Sequence, residues 1–359
     1  MEETKLMKGN EAIAEAAIRC GCDGYFGYPI TPQSEIMETL MALEPWKTTG
    51  MVVLQAESEV AAINMVYGAS ACGKKAMTSS SSPGVSLKTE GISYIASAEL
   101  PSVIVNVMRG GPGLGTIQPS QADYFQAVKG GGHGDYKLIV LAPSSVQEMA
   151  DFTCLAFELA FKYSTPAMIL SDGIIGQMME KVILPPQQPR MTEEEIRQKF
   201  PRATLGKPAD RKPNIITSLA IESEVMEKTN FRLQAKYREI EKYEVRYETY
   251  LCEDAEYLMV AFGSVARICK TAVEEARKEG IKVGVIRPIT LFPFPTKILA
   301  EYADRVKGIL TVEMNAGQMV EDVRLAVNGK TPVEFYGKMG GIVPAPDEIF
   351  EAFKKQTLK

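Results

Sequence analysis

One histidine, His133, and one tryptophan stand in a chain of 359 residues. A Ser-His-Asp or Cys-His nucleophile would have to be built on His133 alone, and a multi-histidine metal site is excluded. The six cysteines, at 20, 22, 72, 154, 252 and 269, form no Cys-x-x-Cys pair, so neither zinc nor iron–sulfur spacing is present. Free thiols in a reducing compartment are the expectation. There is no excess of basic charge: 40 Lys and Arg against 45 Asp and Glu leave −5, which argues against phosphate-driven nucleic-acid binding. No run of about 18 apolar residues exists, so no membrane-spanning helix is expected. The start, MEETKLMKGNEA, carries no apolar signal stretch, and a cytoplasmic location is expected. Neither a P-loop nor a Gly-Asp-Gly…Asn diphosphate–magnesium motif occurs; Ser171-Asp172-Gly173 meets no Asn until Asn214. Chemistry here must rest on carboxylates, Lys, Arg, backbone dipoles or a bound cofactor.

What is present is alternation. Apolar residues at helical spacing predict helices over 9–20, 34–43, 58–71 and 146–163. Strand patterns fall at 25–28, 51–55, 75–78, 103–108, 137–141 and 167–170. Such alternation implies an α/β fold with a parallel sheet covered on both faces. After Pro185 the chain turns polar and rich in Pro and charge. Residues 218–250 carry mixed charge at helical spacing and read as a long, mostly solvated helix or helical pair. A second α/β unit starts near Glu256. The expected division is 1–185, a linker and helix over 186–250, and 251–359.

Three clusters lie at predicted strand ends, where open parallel sheets bind ligands. In Gly27-Tyr-Pro-Ile-Thr-Pro-Gln-Ser-Glu35, two prolines bracket Thr31. The turn reads either as a helix cap, with Thr31 at N-cap and Pro32 at N1, or as a rigid anion contact; the two are compatible. In Gln55-Ala-Glu-Ser-Glu59, two carboxylates two residues apart cannot point the same way. They read either as first-turn dipole partners or as one site carboxylate and one solvated. In Met108-Arg-Gly-Gly-Pro-Gly-Leu-Gly115, Arg109 is placed to clamp a carboxylate, and the pattern is not a dinucleotide fingerprint. Two further loops, Ser79–Gly84 and the His133-bearing Gly130–Asp135, read as a turn and a structural loop, with ligand contact as the alternative.

GNEAIAEAAIRCGC, GYPITPQSE, QAESEVAAI, TSSSSPGVSL, NVMRGGPGLG and GHGD, in that order over residues 8–135, resemble the alpha subunit of the multi-subunit 2-oxoacid:ferredoxin oxidoreductases. Residues 256–359 resemble that family's transketolase C-terminal-like domain. Around GYPITPQSEIMETL the resemblance is nearest the 3-methyl-2-oxobutanoate (ketoisovalerate) type, with the 2-oxoglutarate type or a non-catalytic scaffold subunit as alternatives. The resemblance implies a thiamine-diphosphate domain of the pyrimidine-binding type over 1–185. Glu59 would be the carboxylate beside the pyrimidine, chosen over Glu57 because the family's glutamate opens a helix with a glycine nine residues on, here Gly68. Pro29 and Ile30 would line the cofactor, and Thr31 and Arg109 would hold the 2-oxoacid. No metal ligand is expected on this chain. The diphosphate and its Mg2+ would sit on a beta subunit, and 4Fe–4S clusters on partners that include a ferredoxin-like subunit. A gamma subunit, ferredoxin and coenzyme A complete the implied set, in an oxidative decarboxylation of a 2-oxoacid to an acyl-CoA.

Overall fold

The structure, a computed structural model, describes residues 3–207, 209 and 211–358. A seven-stranded sheet runs in spatial order Thr290–Phe292, Ile139–Leu141, Pro166–Asp172, Ser102–Met108, Ala76–Ser80, Gly24–Gly27 and Val52–Gln55. All neighbours are parallel except the first pair. Every residue of Ser102–Met108 is buried, which is why a doubly covered parallel strand reads as the apolar run SVIVNVM. Helices Gly9–Arg19, Ser34–Leu43 and Val146–Tyr163 pack together, and helices Glu59–Ala71 and Ser82–Ser97 pack together. Right-handed crossovers impose this two-sided cover. From strand Gly24–Gly27 the chain leaves one way to Val52–Gln55 and then returns across it to Ala76–Ser80. The carboxyl ends of Gly24–Gly27 and Ala76–Ser80 therefore form a topological switch point, the place where such sheets take ligands.

The second sheet runs Val333–Gly337, Gly308–Glu313, Tyr257–Val260, Val283–Pro288 and Tyr247–Tyr250, parallel except for the last strand. A two-stranded antiparallel ribbon pairs Thr4–Lys8 with Met179–Ile183. The second unit is bound to the first by backbone and by polar side chains. Thr290–Phe292 adds an antiparallel edge strand to the larger sheet. Gln121 donates to Phe262 carbonyl (2.8 Å) and accepts from Met314 N–H (3.1 Å). Buried Arg287 pairs bidentately with Glu148 at 2.7 Å on both arms.

Several expectations are corrected. Helix Ser34–Leu43 starts after Gln33, so Thr31 is not its N-cap nor Pro32 its first residue. Ser79–Gly84 is no plain turn: it is the end of strand Ala76–Ser80 and the start of a 16-residue helix, Ser82–Ser97, with a proline in its first turn. The connector is helical over Ser223–Tyr243 only, and Tyr247–Tyr250 is a strand. That helix is not solvated throughout; Leu233, Tyr237 and Ile240 form a buried stripe at i, i+4, i+7. The polar stretch before it holds a short helix, Glu193–Lys199, opened by a Thr192–Glu195 capping box. The thiols are not all free: Cys20 and Cys154 form a disulfide between the end of the first helix and helix Val146–Tyr163, while Cys22, Cys72, Cys252 and Cys269 are free. No helix among the described residues is long and apolar enough to cross a membrane.

Candidate functional site

The loop after strand Gly24–Gly27 is held from three sides. Asn10 Nδ2 donates to Pro32 carbonyl (2.7 Å) and to Glu35 (2.9 Å), and Gln177 Nε2 donates to the same two groups. Gln33 is fully buried; its Nε2 donates to Tyr28 carbonyl (3.1 Å), and its Oε1 accepts from Ser79 Oγ, which lies 2.6 Å from Tyr25 hydroxyl. This network ties the loop across the switch point to the neighbouring strand. It leaves Thr31 exposed at the apex, with Pro29 exposed and Ile30 half-buried beside it.

Arg109, at the end of strand Ser102–Met108, is buried and comes to Thr31: Nη1 donates to Thr31 carbonyl at 3.0 Å and Nη2 to Leu114 carbonyl at 2.8 Å, while Nε has no partner. The glycine loop makes the second contact possible. Gly115 adopts φ +64°, and a Cβ there would stand 1.9 Å from Gly110 carbonyl. Ser82 Oγ accepts from Arg109 N–H (3.0 Å) and donates to Asp123 (2.6 Å), which also accepts from Asn106 (2.9 Å). Burial pushes the Asp123 carboxyl above its usual range, against those two hydrogen bonds. Arg109 opens on a cavity of about 450 Å³ whose other wall, including Met314, Ala316 and Met339, belongs to the second unit. A larger cleft of about 810 Å³ lies away from these residues, between the connector helix and residues 291–298. Its Lys129 is already paired with Asp322.

The structure separates the two acids of the second cluster. Glu57 is exposed in the bend before the helix, whereas Glu59, the first helical residue after an N-cap at Ser58, is only 7% exposed. Glu59 makes no hydrogen bond or ion pair among the described residues. Around it, the hydroxyls of Ser80 and Ser81 are buried without partners. Gly84 brings its helix close to both: a Cβ there would lie 2.2 Å from Ser80 Oγ and 2.8 Å from Glu59 Oε1. Buried polar atoms are nearly always paired, so an unpaired carboxylate and two unpaired hydroxyls at one strand end mark a place for a polar ligand edge. These residues fit an aminopyrimidine ring. Among the described residues no group of three His, Cys, Asp or Glu is arranged to hold a metal ion. Asp172 is spent on structure; it accepts from Ile174 and Ile175 N–H at its helix start and from Ser264 across the domain junction.

The sequence model for the pyruvate flavodoxin/ferredoxin oxidoreductase thiamine-diphosphate-binding region matches residues 15–250, well over half the chain. The chain belongs to this oxidoreductase family. The model of the pyruvate:ferredoxin oxidoreductase core domain II matches residues 255–349. Ketoisovalerate oxidoreductase subunit VorB of Methanothermobacter thermautotrophicus is 51% identical over 98% of this chain and 97% of its own length. 2-Oxoglutarate synthase subunit KorA of Methanothermobacter marburgensis is 39% identical over 97% and 98%. A solved 2-oxoglutarate:ferredoxin oxidoreductase from Magnetococcus marinus superposes with a TM-score of 0.84 at 28% identity; this chain covers 99% of itself and 65% of that chain. A split-gene transketolase, 14% identical with a TM-score of 0.61, shares the fold. Thiamine-diphosphate binding and oxidation of 2-oxoacids are thus the family's business, and the α/β architecture expected from the sequence is the one found.

Sequence reasoning missed Asp123 and the fully buried Lys88, and it singled out Ser80, Ser81 and Gly84 only within a loop read first as a turn. The signal for most of them was a serine run followed by Pro-Gly, which marks a helix N-terminus as well as it marks a turn. His133 does not line the Arg109 cavity. It meets Tyr94 edge-on, with ring centroids 6.2 Å apart, near the connector helix.

Proposed function

We propose that this chain is the alpha subunit of a thiamine-dependent 2-oxoacid:ferredoxin oxidoreductase that acts on branched-chain 2-oxoacids in the cytoplasm, within a hetero-oligomer. The carrying observation is the buried, unpaired Glu59 beside unpaired serine hydroxyls at the end of strand Ala76–Ser80. When bound, thiamine diphosphate supplies the nucleophilic carbon that attacks a 2-oxo group and the electron sink for loss of carbon dioxide. Glu59 would accept a hydrogen bond from a protonated ring nitrogen of the pyrimidine, with Pro29 and Ile30 along the ring. Arg109 would take the substrate carboxylate on the Nη N–H groups not spent on the Thr31 and Leu114 carbonyls, and the exposed Thr31 hydroxyl would orient the 2-oxo oxygen. Mg2+ and the diphosphate belong to a beta subunit. The 4Fe–4S clusters belong to partners, a gamma and a ferredoxin-like subunit among the chains of the complex, and pass electrons to ferredoxin. Coenzyme A receives the acyl group.

The VorB relative's higher identity favours a branched-chain substrate over the 2-oxoglutarate named for KorA. The cavity supports the same choice. Arg109 is its one cation, Asp123 is its one acid, and Met314, Ala316 and Met339 offer apolar wall, a setting for one carboxylate and an aliphatic group. The test is co-purification of the chain with its native partners, followed by assay with several 2-oxoacids, coenzyme A and a viologen acceptor. Branched-chain 2-oxoacids are expected to give the highest kcat/KM. Recovery without an iron–sulfur partner, or preference for 2-oxoglutarate, would contradict the reading.

A further inference from the structure

Lys88 lies inside helix Ser82–Ser97 with no part of it exposed. Its Nζ donates to Thr78 Oγ1 (2.6 Å) and to Ser79 carbonyl (3.3 Å), and it has no hydrogen-bonded carboxylate. A lysine is almost never fully buried without a compensating charge. The packing of two helices shows where that charge is. Gly84, Lys88 and Gly91 share one face of their helix at i, i+4 and i+7. A Cβ on Gly84 would stand 2.8 Å from Glu59 Oε1, and one on Gly91 would stand 2.5 Å from Ile63 Cγ2. Glu59 and Ile63 are in turn one helical turn apart. Lys88 thus sits between two backbone-close contacts on the stripe that faces Glu59.

The elements packed against Lys88 offer few other ionisable groups. Strands Ala76–Ser80 and Ser102–Met108 carry none, and strand Pro166–Asp172 carries only Asp172, already engaged by Ile174, Ile175 and Ser264. Tyr25, on the strand beyond, is neutral because burial pushes its hydroxyl up. Tyr67, from the helix of Glu59, is likewise raised by burial. Glu90, on Lys88's own helix, is turned to Tyr94 at the exposed side. Glu59 remains as the charge that Lys88 meets.

We infer that Lys88 is a positioning residue for the cofactor-activating carboxylate: the buried ammonium balances the charge of Glu59 and holds that carboxylate where it can accept the pyrimidine's ring N–H. This rests on the reading of Glu59 given above. Burial pushes the Lys88 ammonium down to about 7, with Glu59 opposing that fall. The ammonium is therefore charged below about 7 and neutral above it. Once it is neutral, Glu59 loses the positive charge that the helix packing sets against it. Lys88 spends its donors on Thr78 and Ser79, so it acts through Glu59 rather than on cofactor or substrate.

The test uses the assembled complex loaded with thiamine diphosphate and needs neither 2-oxoacid nor ferredoxin. Deuterium exchange at the thiazolium C2 position of the bound cofactor is measured against pH and divided by exchange of the free cofactor. In the wild type this ratio is expected to fall as pH rises through about 7. Lys88→Met is expected to lower it about tenfold below that pH, with little change in thiamine-diphosphate affinity. Lys88→Arg, which keeps its charge at all accessible pH, is expected to retain exchange and lose the decline near 7. Glu59→Gln separates the two layers of the account. Normal exchange in Glu59→Gln removes the reading of Glu59 and the inference with it. Impaired exchange in Glu59→Gln beside unchanged exchange in Lys88→Met overturns the role of Lys88 alone. Where Lys88→Met does not assemble, the pH profiles decide: a decline near 7 that is absent from the wild type, or that persists in Lys88→Arg, overturns it equally.

Discussion

Two buried glutamates stand at strand ends of the two sheets, each beside the start of a helix, and their surroundings are opposite. Glu313, closing strand Gly308–Glu313, accepts from Asn315 Nδ2 (2.8 Å) and from the N–H groups of Gln318, Met319 and Val320. Its carboxyl is still pushed up by burial, and its oxygens are fully used in closing a helix N-terminus. Glu59 is equally enclosed and receives nothing, with two serine hydroxyls idle beside it. Each carboxylate stands where the chain passes from a strand to a helix. In the second unit it is filled by the chain itself and serves to hold the two units together, since Asn315 also donates to Gln121 carbonyl at 2.9 Å. In the first it is left open. An unsatisfied polar group in a folded interior is costly, so a cluster of them is read as a site rather than as a flaw in packing.

The comparison can be broken at several points. Arg109→Met is expected to lower kcat/KM for the 2-oxoacid about a hundredfold, mostly through KM, because it removes the one cation of the cavity; steady-state kinetics of the complex checks this. Glu313→Ala strips acceptors from three backbone N–H groups and Asn315. It is expected to lower stability by about 3 kcal/mol in denaturant unfolding while leaving thiamine-diphosphate affinity of the folded fraction unchanged. Gly84→Ala places a methyl against Ser80 Oγ and Glu59. It is expected to cost about 1–3 kcal/mol in denaturant unfolding and to weaken thiamine-diphosphate binding by the folded fraction roughly tenfold, measured by titration. The smallest expected effect is one of pH. Lys88 has a folded pKa of about 7 against an ordinary 10.5, so between these values the folded state binds fewer protons than the unfolded one. Its contribution therefore makes stability rise with pH across that window and fall as pH drops through about 7. Lys88→Met is expected to flatten that rise in melting curves taken across the window.

Much of the architecture was legible because doubly covered strands and amphipathic helices carry their own periodicity. VIVNVM and the helix Val146–Tyr163 needed no tertiary information. The helix Ser82–Ser97 was illegible for the reason that makes it interesting. Its serine start, Pro83, Gly84, Lys88 and Gly91 serve contacts with Glu59, Ile63 and a strand end, so the apolar period that betrays a core helix is missing. Glu59, Thr31 and Arg109 were picked out through motif and chemistry. Arg109 and Thr31 meet through backbone that no local pattern encodes: the Gly110–Gly115 loop that lets Arg109 reach two carbonyls, and the Asn10–Gln177 clamp on Pro32. The edge strand Thr290–Phe292 and the Cys20–Cys154 disulfide are pairings between distant segments, and neither leaves a trace in short-range composition.

The most direct test of the contrast between an open and a filled carboxylate is Glu59→Gln in the assembled complex, with turnover and thermal unfolding measured on the same preparation. Glu59 makes no hydrogen bond among the described residues, so the substitution removes only the charge that balances Lys88: the melting temperature is expected to fall by a few degrees while turnover with the preferred 2-oxoacid falls by more than about a hundredfold. Full turnover, or a loss of activity matched by a comparable loss of stability, would contradict the assignment of Glu59 as the working carboxylate of the site.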